Sequence, residues 1–141
     1  MRTIIMYYTF GGSSRKEANR IADENVNSVL CEIKEEKKRN IITAFFSGCP
    51  KAIKREQSLI QKIEHNLDNF DMIILVAPVW AGFPAPAFNS MVELLPSGKK
   101  VEVYLCSGGG ETPKSQEGTC QIIRDKSCNL IAYHNIKTTK K

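Results

Sequence analysis

The chain has no C-x-x-C pair, only two histidines (His65 and His134) and a single tryptophan, Trp80. Its five cysteines, Cys31, Cys49, Cys106, Cys120 and Cys128, are odd in number and widely spaced. A disulfide framework and a zinc site are therefore not expected, and the thiols read as buried or half-buried side chains in a reducing compartment. Long apolar runs are also missing. The longest cover residues 72–79 and 41–46, far below the roughly 18 residues of a membrane span. No small-residue cleavage site follows the opening residues, so a cytoplasmic protein without a membrane partner is expected.

An excess of one charge is present but small. Twenty Lys and Arg against 15 Asp and Glu give +5, with about +3 over residues 1–70 and about +2 over the rest. Divided in this way the excess is spread along the chain. Lys37-Lys38-Arg39 and residues 137–141 are the basic clusters, both short and neither interleaved with aromatics that stack bases, so no nucleic-acid partner is expected. What remains is ordinary for a folded domain. The 141 residues, 42% apolar and 25% charged, fit one domain over 1–141 with one core, and exclude disorder, collagen and coiled coil.

Strand and helix signals alternate along this domain. Thr3-Ile4-Ile5-Met6-Tyr7-Tyr8 is apolar on both faces, as a covered parallel strand is, and it stops at Gly11-Gly12-Ser13-Ser14. Ser14 with Glu17 three residues later predicts a capping box, and Ala18, Ile21 and Ala22 give the apolar face of a helix over about 15–24. Residues 29–34 alternate as an edge strand does, and 35–39 form a solvated turn. Within 41–70, Pro50 followed by Ile53, Ile60, Ile63 and Leu67 predicts a helix. Residues 72–77 are the most hydrophobic strand and break into 78–86, a Pro- and Gly-rich stretch expected to hold no regular element. A helix opening at Pro86, a strand over 101–106 ending in Ser107-Gly108-Gly109-Gly110, a helix over about 115–126 and a fifth strand over about 129–133 complete the order. This alternation predicts an α/β three-layer sandwich with a five-stranded, mainly parallel sheet.

In such sheets ligands bind beyond the carboxyl ends of the strands, and three unusual loops follow three of these strands. The first carries the hydroxyls of Thr9, Ser13 and Ser14, two glycines and a helix start, a cradle suited to phosphate. The second sets Trp80 among prolines, where a flat aromatic ligand explains so large an exposed ring. The third, residues 107–110, lets backbone approach a ligand closely. Cys49 to Arg55 fits the C-x5-R spacing of a phosphatase loop. Pro50 lacks a donor that such a loop needs, however, and a basic helix is the better reading.

Tyr8-Thr9-Phe10-Gly11-Gly12-Ser13-Ser14 resembles the phosphate loop of flavodoxins. The run from Asp71 to Pro86, with its Pro-x-Trp-x-Gly-x-x-Pro-x-Pro pattern, resembles the third strand and flavin loop of flavodoxin-like proteins. The resemblance covers nearly the whole chain and implies strand order 2-1-3-4-5. It also implies FMN as cofactor, with Thr9, Phe10, Gly11, Gly12, Ser13 and Ser14 around the phosphate. Pro78, Val79, Trp80, Ala81 and Gly82, together with Ser107, Gly108, Gly109 and Gly110, then border the ring, and no side-chain acid or base is needed. An electron-transfer protein working with a redox partner protein follows. The alternatives are a small FMN-dependent NAD(P)H reductase, or a non-catalytic module of this fold without flavin.

Three features depart from that pattern. Gly11 stands where the family has Thr, the chain is basic where carriers are acidic, and the closing helix is missing or very short. The last of these exposes a sheet face and suggests a homodimer.

Overall fold

In the computed structural model, which describes residues 1–138, β1 (Thr3–Tyr7) buries Ile4 and Met6 on one side of the pleat and Ile5 and Tyr7 on the other. A strand so apolar must be covered on both faces, and it is. The chain continues through α1 (Ser13–Glu24), β2 (Val29–Glu32), α2 (Ile41–Thr43), a π-helical stretch (Ala44–Gly48) and α3 (Cys49–Ile53). It then passes through β3 (Met72–Trp80), β4 (Phe83–Pro84), α4 (Pro86–Glu93), β5 (Lys100–Ser107), α5 (Gln116–Asp125) and β6 (Asn129–Lys137). The sheet order is β2-β1-β3-β5-β6, every neighbour parallel, with β4 folded back antiparallel on β3. With the two-residue β4 set aside, this is the five-stranded parallel sheet in the order expected.

One face packs Ile4, Met6, Ile73, Leu75, Val103 and Leu105 against Phe88 and Met91 of α4 and Ile123 of α5. The other packs Ile5, Ile74 and Val76 against Ala18 and Ile21 of α1. Among the described residues no helix follows β6. The strip beside α1 on that second face carries Glu102, Tyr104 and His134, the last two stacked with ring centroids 4.3 Å apart. The open strip is therefore largely polar. Part of the basic cluster at 137–141 lies outside the described residues.

The structure corrects four local expectations. α1 starts two residues early, at Ser13, with Gly12 as its cap in a left-handed conformation (φ 100°) and no side-chain cap. The capping box fails because Ser14 already lies inside the first turn and Glu17 pairs with Arg20 instead, at 2.6 Å. The helix of the 41–70 region begins before Pro50. Asn40 accepts the Thr43 N–H at 2.8 Å, which opens a continuous helical run over 41–53 that ends where Arg55 turns left-handed (φ 55°). Ile60 and Ile63 are not helical. Gln61 N–H bonds the Lys34 carbonyl and Glu36 N–H bonds the Leu59 carbonyl, so this stretch runs back along the chain that leaves β2.

Residues 78–86 do hold regular structure, since β3 continues through Pro78 to Trp80 and turns back. The Pro78 carbonyl accepts the Ala85 N–H at 3.0 Å, so the returning chain takes the place of β1, which ends at Tyr7. β6 also runs four residues further than its apolar pattern suggests, because it follows β5 in register from Lys100↔Asn129 to Ser107↔Lys137.

Candidate functional site

The loops after β1, β3 and β5 meet at the carboxyl ends of their strands, as a parallel sheet requires. In the first loop the Thr9 hydroxyl accepts the Gly12 N–H at 3.0 Å, which draws the loop into a tight bend. No side chain caps α1, so the N–H groups of its first turn and the positive end of its dipole are left for a ligand. Ser14 is 1% exposed, and its hydroxyl oxygen is buried without a hydrogen-bond partner. A hydroxyl in that state costs stability unless something bonds it.

The second loop is a two-residue hairpin with Ala81 (φ 55°) and Gly82 (φ 86°) at its tip, the conformation that suits the twist of paired strands. Ser115 Oγ donates to the Gly82 carbonyl at 2.7 Å and ties the hairpin to the start of α5. Trp80, the last residue of β3, is held edge-on by Tyr8 (6.1 Å) and Phe10 (5.6 Å). The Arg39 guanidinium lies 5.5 Å from the indole ring. Arg39 is itself fixed by Glu35, its Nε donating to both carboxylate oxygens at 3.0 Å, and Tyr8 O–H donates to the same carboxylate at 2.6 Å. Burial first, then the hydrogen bond and charge of Glu35, raise the Tyr8 pKa far above its ordinary value, so Tyr8 stays a donor.

In the third loop Ser107 Oγ accepts the Gly110 N–H at 2.9 Å. Gly110 is glycine for the sake of β6: an added Cβ would stand 2.9 Å from Cβ of Lys137, at φ 73°. Added Cβ atoms at Gly108 and Gly109 meet nothing within 4 Å.

These loops enclose a cleft of about 180 Å³. Of the sequence-predicted residues it brings together Thr9, Phe10, Gly11, Ser13, Ser14, Pro78, Val79, Trp80, Ser107 and Gly108. Gly12, Ala81, Gly82, Gly109 and Gly110 shape the loops without lining the cleft. Two lining residues lay outside the predicted set, Cys106 and Thr138. Cys106, next to last in β5, lies level with Pro78, a position the strand pairing fixes, whereas Thr138 follows a strand end that the pattern placed four residues too early. Burial pushes the Cys106 thiol up to about 11; the Ser14 hydroxyl lies near enough to favour a thiolate and acts in the opposite direction, but it makes no hydrogen bond to the thiol in this geometry.

A larger, open hollow of about 1060 Å³ lies on the β2 side of the first loop, bounded by Glu32, Lys34, Lys38 and Ile41. It shares Thr9, Phe10 and Gly11 with the cleft. The smaller space is the candidate site, because the uncapped helix start, the orphan hydroxyl and three strand ends converge there. The C-x5-R arginine is not part of it. Arg55 donates to the Ser115 carbonyl at 2.8 Å and to Thr119 Oγ1 at 3.1 Å, and stacks on Phe83, so it fixes α3 to α5.

No family model matches the sequence, and no curated protein matches it. Solved structures do match. A flavoprotein of Lactobacillus acidophilus NCFM, crystallised in complex with FMN, superposes with TM-score 0.78 at 22% identity over 94% of this chain and 91% of its own. A candidate flavoprotein of Bacteroides eggerthii DSM 20697 gives 0.82 at 15% identity over 98% and 89%. The flavodoxin of Streptococcus pneumoniae TIGR4 gives 0.58 at 9% over 100% and 88%. The fold is flavodoxin-like.

Proposed function

We propose that this flavodoxin-like chain binds FMN in the cleft between the β1, β3 and β5 loops and serves as an electron-transfer flavoprotein that works with a redox partner protein. The observation that carries the reading is the Ser14 hydroxyl, buried and without a partner beside an uncapped helix start. A phosphate monoester satisfies both at once, accepting from the hydroxyl and from the first-turn N–H groups. The Lactobacillus flavoprotein, alike in fold, is crystallised with FMN.

FMN supplies one- and two-electron chemistry when bound, and the chain supplies its binding and surroundings. Ser13, Ser14 and the backbone of 11–14 hold the phosphate, while Thr9 keeps the loop bent. Trp80 offers an apolar face to the ring, and Phe10 and Val79 exclude water from that side. Backbone groups of Ser107 and Gly108 reach polar ring atoms without side chains in the way. The Cys106 thiol stays protonated at neutral pH and offers neither a charge nor a nucleophile.

The test is an absorbance spectrum of the purified protein after FMN has been added and the excess removed. Retained flavin bands support the reading and their loss contradicts it. Reduction of the bound flavin by a one-electron donor but not by NAD(P)H alone then separates a carrier from a reductase.

A further inference from the structure

Divided more finely than near its middle, the chain's positive charge is concentrated in one segment. Residues 1–33 hold four Lys and Arg against four Asp and Glu, and residues 63–141 hold eight of each. Residues 34–62, the first part of the connection between β2 and β3, hold eight Lys and Arg against three Glu, a local charge of +5, and the acidic residues Glu64, Asp68 and Asp71 follow only after it.

The same connection turns its large apolar side chains outward. Along the helical run 41–53, Ala44, Gly48 and Ala52 recur every four residues and are buried. Ile41 (78%), Ile42 (65%), Phe45 (67%) and Phe46 (73%) are exposed. A helix packed for stability alone does the reverse. The run is held in this orientation. Gly48 lies so close to Trp80 that a Cβ would stand 2.6 Å from the indole, and Arg39 joins Ser47 Oγ (3.0 Å) to buried Glu35.

We propose that this segment seats the protein on an anionic membrane surface. Ile41, Ile42, Phe45 and Phe46 enter the boundary between head groups and acyl chains, and exposed Lys37, Lys38 and Lys54 meet lipid phosphates. Projecting side chains need no preformed pocket in a fluid apolar layer, whereas a protein partner must carry a complementary hollow for them. A second copy is disfavoured because it would set one basic segment against another. Counting apolar runs led to the expectation of no membrane partner. No described helix is long and apolar enough to cross a membrane, but seating on a surface needs none. The inference does not depend on the flavin.

The experiment is co-sedimentation of the full chain with vesicles of phosphatidylcholine alone, or of phosphatidylcholine with about a third phosphatidylglycerol. The wild type is expected to bind the anionic vesicles at least about tenfold more tightly and to be released by salt. Phe45→Ser with Phe46→Ser should lower binding by about tenfold or more without altering the thermal midpoint, since both rings are exposed. Lys37→Glu with Lys38→Glu should abolish the preference for anionic lipid. Absence of wild-type sedimentation with anionic vesicles, or sedimentation that the Phe pair leaves unchanged, overturns the proposal. A dimer that the Phe→Ser pair dissociates, without vesicle binding, overturns it in favour of a second copy. Salt-sensitive retention on an immobilised acidic ferredoxin, without vesicle binding, overturns it in favour of an acidic protein.

Discussion

Gly48 and Trp80 are in contact: a methyl added at Gly48 would stand 2.6 Å from Cζ3 of the indole and 2.9 Å from Cε3. A residue in the β2–β3 connection therefore sets the position of the aromatic ring that lines the candidate flavin site. Neither Trp80, pinned by Tyr8 and Phe10, nor the helical run, pinned by the Arg39–Glu35 pair, is free to retreat. Gly48→Ala is expected to destabilise the protein by about 1–3 kcal/mol through overpacking. Thermal unfolding measures the loss, and a shift of Trp80 emission marks its location.

Ser14→Ala separates binding from stability. The hydroxyl has no partner within the protein, so its removal should leave the unfolding free energy of the flavin-free chain unchanged or slightly higher. The same change should weaken FMN binding by roughly 1.5–3 kcal/mol, about ten- to a hundredfold, the worth of a hydrogen bond to a charged group. Calorimetric titration and a thermal melt of one variant read both.

Gly11→Thr works in the opposite direction. An added Cβ at Gly11 meets nothing within 4 Å, so the larger side chain is accommodated and returns the hydroxyl that the flavodoxin pattern has there. Binding of FMN should tighten, by about tenfold or more if the hydroxyl reaches the phosphate. The same titration shows it.

Ala81 holds a left-handed conformation at the hairpin tip (φ 55°), which costs an L-residue about 1–2 kcal/mol. Ala81→Gly removes that strain and adds chain entropy to the unfolded state, leaving a net gain of roughly half a kcal/mol. Ala81→Val should destabilise, because a β-branched residue tolerates this region least. Denaturant midpoints of the two variants should therefore move in opposite directions.

The Cys106 thiol is pushed up to about 11, above its ordinary value of 9.0, chiefly by burial. Between those two values the unfolded chain releases a proton that the folded chain keeps, so folding stability falls as pH rises from about 9 to about 11. Cys106→Ala should flatten that part of the pH profile, whatever its effect at neutral pH. Thiol-specific reagents at pH 8 should leave Cys106 unmodified until the protein unfolds.

Strand and helix order was legible because each buried strand carries its own apolar run, and Pro86 announces α4 as the first residue of a helix. Strand ends were less legible. Extension of β6 to Lys137 depends on its pairing with β5, which no local pattern encodes. The hairpin at Trp80 was hidden because Pro78 and Pro84 read as breakers, although the chain turns back where β1 has ended. At the site, the types and spacing of Thr9, Ser13, Ser14 and Trp80 placed the cleft. Sequence could not show that Thr9 is occupied with Gly12 while Ser14 is left without a partner. The basic segment was legible in the sequence, but a division at residue 70 counts Glu64 and Asp68 with it and hides its concentration.

Because Trp80 is the sole tryptophan and lines the cleft, its fluorescence reports on that site alone. Titration of the flavin-free protein with FMN, followed by Trp80 emission, is the most direct test of the central claim. Saturable quenching at one FMN per chain, weakened in the Ser14→Ala variant, is the predicted result. Emission that follows only the inner-filter absorbance of free FMN, identical in wild type and variant, would contradict it.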